Sequence, residues 1–467
     1  MFSLTRRLFT LRIMSSKGQS QFLESSYATE DVRNLDNELL SDASFEYKNL
    51  DHAPATSHGT YLDGIDEGLE RLEEYQHGGY HPVHLGDMLG AYGRYRVIHK
   101  LGHGGFGTVW LCRDTLDPGY VAVKVMTGDL FAEALLDFTL MQLDRSTPGS
   151  EYVAIPLDSF SIVGPNGSHQ CIVLPVLGPC VSPRLWLRLN ENSGDIFRGM
   201  AYQSAIALNF LHKQGFCHGD FRPSNILVKL DNLNRLSEDE LMSVLGEPEK
   251  AFVRTESGED LPASSPRYLV APADTSRLGD EYLTGQICVI DFGESFRISS
   301  PPADIGTPEN YLPPEVLLGC QENAIGPACD LWAFGCTLFE IRSQLPLFYM
   351  IFGEDELLAE MVRFFGKLPQ TWWDEWEARR DYFDDQGTWL RDEEDWSLEV
   401  ALSKHTEIRK SGDPKGPVQK TTFIPEAEQK LIADLLYKLF RYEPEKRLSV
   451  EDVLAHEWFK MGVGATD

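Results

Sequence analysis

His218, Asp220, Arg222 and Asn225 sit in one short loop, CHGDFRPSNIL at 217–227. A carboxylate at Asp220 can accept the proton of a hydroxyl, Arg222 adds a cation beside it, and the amide of Asn225 can bind Mg²⁺. Asp291, in the run CVIDFGES, supplies a second oxygen donor for a metal. Upstream, Leu101 to Val109 reads LGHGGFGTV, so Gly102, Gly104 and Gly107 form G-x-G-x-x-G. A glycine hairpin lets backbone amides approach phosphates, and Lys124, the last residue of VAVK (121–124), can pair the α- and β-phosphates. In this order the residues describe transfer of a phosphoryl group from ATP, carried with Mg²⁺, to a hydroxyl.

Each of these groups needs an element to hold it. Between about 95 and 125, YRVIHKLG, VWLCRD and YVAVKVM are short runs rich in β-branched and aromatic residues, separated by Gly-rich or Asp-Pro-Gly turns. They predict an antiparallel meander. The glycines therefore lie between two strands, not between a strand and a helix, which sets aside the dinucleotide fold that the same spacing also fits. Residues 130–144 carry apolar positions at helical spacing, and a strand pair at 158–163 and 170–177 is joined by GPNG. That helix should supply a carboxylate to Lys124, either Asp137 or Glu133 one turn earlier on the same face. Beyond Gly178 the pattern turns helical, at 200–215 (ended by Gly215), 328–343 and 427–440. The expectation is an α+β, bilobal fold, with a small antiparallel lobe and one helix at 95–177 and a mainly helical lobe at 178–460.

Composition limits the rest. The 467 residues are 42% hydrophobic, enough for one large core or two smaller ones around a cleft. No apolar run is long enough to span a bilayer, so no membrane partner is expected. The formal charge of -30 is unevenly placed. Residues 24–75 hold 14 acids and 3 bases, residues 230–285 hold 12 and 5, and residues 374–399 hold 11 and 3. All three segments should face solvent, the first as a loosely ordered extension and the second as an insert. Within that insert Ser237-x-x-Glu240 predicts a capped helix ending near Gly246. Such a field serves solubility or steers a basic protein partner, and it disfavours direct binding of nucleic acid. The eight cysteines show no metal spacing and read as buried thiols of a reducing compartment. Residues 1–23 hold four basic residues and no acid, with Leu4, Leu8 and Leu11 at helical spacing. They resemble a mitochondrial transit peptide, against a simple tail or a start at Met14; otherwise a cytoplasmic or nuclear monomer is expected.

The order of these motifs from about 95 to 460 resembles the eukaryotic protein kinase family. GTPENYLPPE (306–315) is similar to that family's substrate-binding segment, and Asp330-x-Trp332-x-x-Gly335 and Arg447 match its later signatures. By resemblance Glu315 and Arg447 form a buried ion pair. Residues 75–114 and 160–178, with the run GGYHPVHLGD, resemble more narrowly the SR-protein kinases, which phosphorylate serines in Arg-Ser repeats. Those kinases also carry a spacer where 230–285 falls, and FFGKLP (364–369) within 344–425 fits the insert of the wider CMGC group. The resemblance implies Leu174 as gatekeeper, adenine on the carbonyl of Pro175 and the backbone of Leu177, and Leu101, Val109 and Ala122 around the nucleotide. Thr307 and Pro223 fit a Ser/Thr rather than a Tyr kinase. Glu354, Asp355 and Glu356 fall near the acidic groove that docks arginine-rich peptide in that family.

Four departures set up the alternatives. Gly219 replaces the arginine that ties a phosphorylated loop to the catalytic loop in many kinases, and Arg222 replaces a lysine. Asp137 is one methylene short of the usual glutamate, and Leu312 stands where the SR-protein kinases carry an arginine. The first of these predicts an enzyme that needs no loop phosphorylation. The rivals are a pseudokinase acting as a scaffold and a small-molecule phosphotransferase, which shares HGD-x(4)-N but lacks the Thr307, Tyr311, Pro314, Glu315 segment and its Arg447.

Overall fold

The computed structural model describes residues 56–461, except 58, 64–67, 129–138, 184, 190–192, 320–323, 392–396, 405 and 410–417. Six antiparallel strands form the N-lobe sheet, in the spatial order Met88–Leu89, Tyr95–Gly104, Gly107–Asp114, Gly119–Met126, Gly167–Pro175 and Asp158–Gly164. Alternation gives this sheet two unlike faces. Val109, Leu111, Ala122, Lys124, Ile172 and Leu174 are cross-strand neighbours on one face. Trp110, Cys112, Val123, Val125, Cys171 and Val173 lie on the other and are fully buried. Val83 and Leu85 from the chain before the sheet, Leu89 of its edge strand, and Tyr268 and Val270 from the insert pack on that second face.

The larger lobe is helical, as its periodicity predicts. Its first long helix, Ser193–Lys213, starts earlier than the 200–215 pattern, and Phe197 and Arg198 extend its buried stripe in that direction. Gly215, at φ +85°, follows its end. Pro327–Ser343 is buried on every side from Cys329 to Arg342, so it is the lobe's axis. Its Arg342 makes a bidentate pair with buried Glu428 of the helix Glu426–Leu439, at 2.8 and 2.7 Å. The residues expected as the end of one strand near 177 form their own: Leu177–Cys180 leaves the N-lobe and pairs with Ile226–Leu230. Among the described residues no helix is long and apolar enough to cross a membrane.

Two expectations about the acidic segments are corrected. Thr60–Asp63, within the stretch read as loosely ordered, pairs antiparallel with Lys250–Thr255 of the insert, which pairs in turn with Tyr268–Val270. The insert is also partly core. Its helix Glu238–Leu245 carries the predicted Ser237/Glu240 capping box and buries Leu241 and Leu245 beside Ile98, Leu111 and Tyr120 of the N-lobe. Nor does every acid face water. Glu70 forms a buried pair with Lys100, their side chains 1% and 0% exposed. A count of formal charge weighs each residue alone, and it was the unrecognised cation inside YRVIHKLG that drew this one in. In 374–399 the acids Asp374, Glu375, Glu377, Asp384 and Asp385 are exposed as expected. The aromatic residues Trp373, Trp376 and Phe383 nearby pack inward.

Candidate active site

Strand register assembles the site. Ile226–Leu230 follows Asn225, Leu283–Val289 precedes Asp291, and the two strands pair with Ile226 opposite Val289. Ile290 N–H then donates to Asn225 O at 2.9 Å, which brings the backbone next to Asp291 against Asn225. Asn225 Nδ2 donates to the carbonyl and to Oδ2 of Asp220, at 2.9 and 2.7 Å. Arg222 Nε reaches both carboxylate oxygens of Asp220, at 2.9 and 3.0 Å. Asp220 is held from two sides. Because the Asn225 nitrogen is committed there, its Oδ1 is the atom a metal would meet.

Lys124 Nζ donates to Asp291 Oδ1 at 2.8 Å. Burial pushes the Asp291 carboxyl up, but the charge and hydrogen bond of Lys124, with His218 and the Gly293 N–H, outweigh it. The group ends below the usual carboxylate range. Asp291 adopts φ +61°, uncommon for a residue with a Cβ, which marks a backbone held by its surroundings. Phe292 is buried against the His218 ring, with centroids 5.4 Å apart. Asp137 and Glu133, the two candidate partners for Lys124 on the helix, lie outside the described residues.

The glycine hairpin closes over this pair. Gly102 faces Val109 and Gly104 faces Gly107 across the turn. Gly107 has φ +151°, and a Cβ there would lie 2.3 Å from Val125 O, so the turn admits no other residue. Phe106, at the tip, packs with Met126, Ile172 and Leu174 and reaches the Gly293 backbone. Leu174 lies opposite Ala122, Pro175 opposite Val121, and Leu177 opposite Lys229, so the hinge is tied directly to the strand after Asn225. Leu101 and Val109 are half-buried on the hairpin strands.

Beneath the loop sits a frame whose partners the sequence did not reveal. Asp330, on the buried helix, accepts from His218 N–H at 2.8 Å and Gly219 N–H at 3.0 Å and meets His212 Nε2 at 2.9 Å. Burial raises its carboxyl, but His212, His218 and the Gly219 N–H more than offset this and hold it low. Gly219 itself has φ +78°, and a Cβ there would lie 2.2 Å from Glu294 O. The missing arginine is therefore a backbone requirement. Around it, Thr307 Oγ1 donates to Gly219 O, Ser295 Oγ donates to His218 O at 2.7 Å, and Gly306 N–H donates to Glu294 Oε2 at 2.9 Å. The Glu315–Arg447 pair implied by resemblance is present, bidentate at 2.7 Å and fully buried. The Asp330 signature was visible as a motif, whereas Glu294 and Phe106 gave no signal beyond their neighbours.

Comparison with known proteins agrees with this geometry. The model of the protein kinase domain matches residues 279–459. Serine/threonine-protein kinase SRPK of Physarum polycephalum is 28% identical over 423 residues, covering 86% of this chain and 92% of the relative. The matched domain and these relatives support a serine/threonine protein kinase similar to the SRPK-like members of the CMGC group. Protein kinase dsk1 of Schizosaccharomyces pombe is 26% identical, covering 84% and 85% of the two chains. SRSF protein kinase 3 of Homo sapiens is 25% identical, covering 85% and 91%. As a protein kinase the enzyme uses ATP and acts on proteins. The segment carrying Thr307, Tyr311, Pro314 and Glu315 is assembled with Arg447, which sets the kinase apart from the small-molecule phosphotransferases that share its HGD loop. Nothing found favours a scaffold without activity.

Proposed function

We propose that the kinase phosphorylates serines in basic, Arg/Ser-rich protein segments, with Asp220 as the base that receives the hydroxyl proton. The observation that carries the catalytic part is two hydrogen-bonded pairs, Lys124 with Asp291 and Asn225 with Asp220, whose segments are joined by the backbone bond from Ile290 to Asn225. Asn225 and Asp291 present hard oxygen donors of the kind Mg²⁺ takes, and they would hold it. The bound ion would neutralise charge that develops on the transferring phosphoryl group. Lys124 would pair the α- and β-phosphates. Arg222 keeps the Asp220 carboxylate turned toward the incoming hydroxyl, with its remaining donors free for the γ-phosphate. The hairpin from Gly102 to Gly107 covers the phosphates, and the carbonyl of Pro175 and the backbone of Leu177 take the adenine edge.

The substrate class rests on charge. Glu354 and Asp355 are exposed in the first turn of Glu354–Phe365, in a chain with 72 acids against 42 bases. The names of the relatives SRPK and SRSF protein kinase 3 support the same reading. Purified protein with ATP and Mg²⁺, tested on matched peptides whose residues around the acceptor serine are Arg, Lys or Ala, decides it. A clear preference for Arg is expected, and equal rates on all three would remove the substrate assignment while leaving the kinase intact.

A further inference from the structure

Residues 68–80 run along the glycine hairpin on the side away from Lys124. Gly68 O accepts from His103 Nε2 at 3.1 Å. Glu70 takes up Lys100, which lies opposite Trp110 on the covered face of the sheet, and Tyr75 OH donates to Glu70 Oε1 at 2.6 Å. Gly79 O accepts from Gly128 N–H at 3.1 Å, just past the strand that carries Lys124. Tyr80 OH, packed edge-on against Tyr75, donates to Gly104 O at 2.9 Å. That last contact falls on the second glycine of G-x-G-x-x-G.

Gly104 and Gly105 have no side chains to restrain them, so beyond the turn pairing of Gly104 with Gly107 the orientation of their peptide depends on contacts from outside the hairpin. In a trans peptide the carbonyl and the next N–H point in opposite directions. A hydroxyl that fixes Gly104 O outward therefore fixes Gly105 N–H inward, toward the side where phosphate would sit. We propose that Tyr80 is a positioning residue for ATP, acting through the Gly104–Gly105 peptide, with Glu70, Tyr75 and Lys100 as its buried anchor. The inference rests on the assignment of the hairpin to the ATP phosphates.

Tyr80→Phe in the full chain removes the hydroxyl and keeps the ring. One neutral hydrogen bond of this kind corresponds to about a threefold to tenfold effect. The expected result is a rise of that size in KM for ATP and in Kd for ADP, with KM for peptide, Kd for adenosine and the thermal midpoint unchanged. Adenosine has no phosphates, so it reports the cleft without the hairpin amides. Equal weakening of adenosine and ADP, or an unchanged KM for ATP, would overturn the positioning role. Wild-type protein that bound adenosine and ADP with equal affinity would instead remove the phosphate assignment itself. Glu70→Gln tests the anchor separately. If that variant keeps a folded midpoint, it should show the same split between ADP and adenosine, and a folded Glu70→Gln protein without the split would exclude Glu70 from the device.

Discussion

Replacing Gly219 by alanine tests whether the HGD sequence is a lesion or a requirement. The residue has φ +78°, and a Cβ there would stand 2.2 Å from the carbonyl oxygen of Glu294. The left-handed conformation costs an alanine about 1–2 kcal/mol. Relieving the contact means moving backbone, not a flexible side chain, and overpacking of this kind adds about 1–3 kcal/mol. The total expected loss is about 2–5 kcal/mol, read as a lower denaturation midpoint. Activity should fall as well, because Gly219 lies between the His218 and Asp220 backbones and its own carbonyl accepts from Thr307. A displacement of about 1 Å at a reacting group can cost on the order of a hundredfold in rate. Denaturant titration and kcat on an Arg-Ser peptide check both halves. Gly219→Arg, which restores the arginine common in other kinases, should be at least as impaired. An alanine variant with wild-type midpoint and kcat would refute the reasoning.

Other outcomes follow from the same geometry. Asp220→Asn should lower kcat by about a hundredfold to ten-thousandfold, the range of a lost general base, while ATP binding stays intact. Glu315→Gln leaves Arg447 buried without its charge partner, and urea denaturation should show a loss of about 3–5 kcal/mol. The activation segment is tied down by Ser295, Glu294 and Thr307 without a phosphate, so phosphatase treatment should leave kcat unchanged. Asp114, Asp291 and Asp330 all titrate lower in the folded protein than the ordinary value of 3.8. A depressed carboxylate contributes stability that is fully present above its unfolded pKa and lost as pH falls through its folded one. Stability should therefore drop below about pH 4, and Asp330→Asn should flatten that acid limb of the stability curve.

The parts of this protein legible in its sequence are those where one residue type does one local job. Gly102, Gly104 and Gly107 between β-branched runs, Asp220 with Asn225, and Asp291 after CVI all stand where their spacing placed them, and the lobes follow from a change of period. What stayed hidden depends on contacts between distant segments. Glu70 reads as one more acid in an acidic stretch until Lys100 is seen beneath it. Gly219 reads as a defect until the Glu294 carbonyl fills the space its side chain would need. The insert reads as a solvated spacer because its apolar residues are sparse, yet Leu241 and Leu245 pack beside Leu111 and Tyr120 on one face of the small sheet while Val270 helps cover the other.

The pairing of Thr60–Asp63 with Lys250–Thr255 also bears on where this enzyme can be cut. A chain beginning at Tyr95, where the recognisable motifs start, would keep Lys100 but lose Glu70, and would uncover the face that holds Trp110 and Val123. Limited proteolysis should accordingly spare the stretch between Gly68 and Tyr95, and a unit that folds alone should have to begin upstream of the first residue that touches the chemistry.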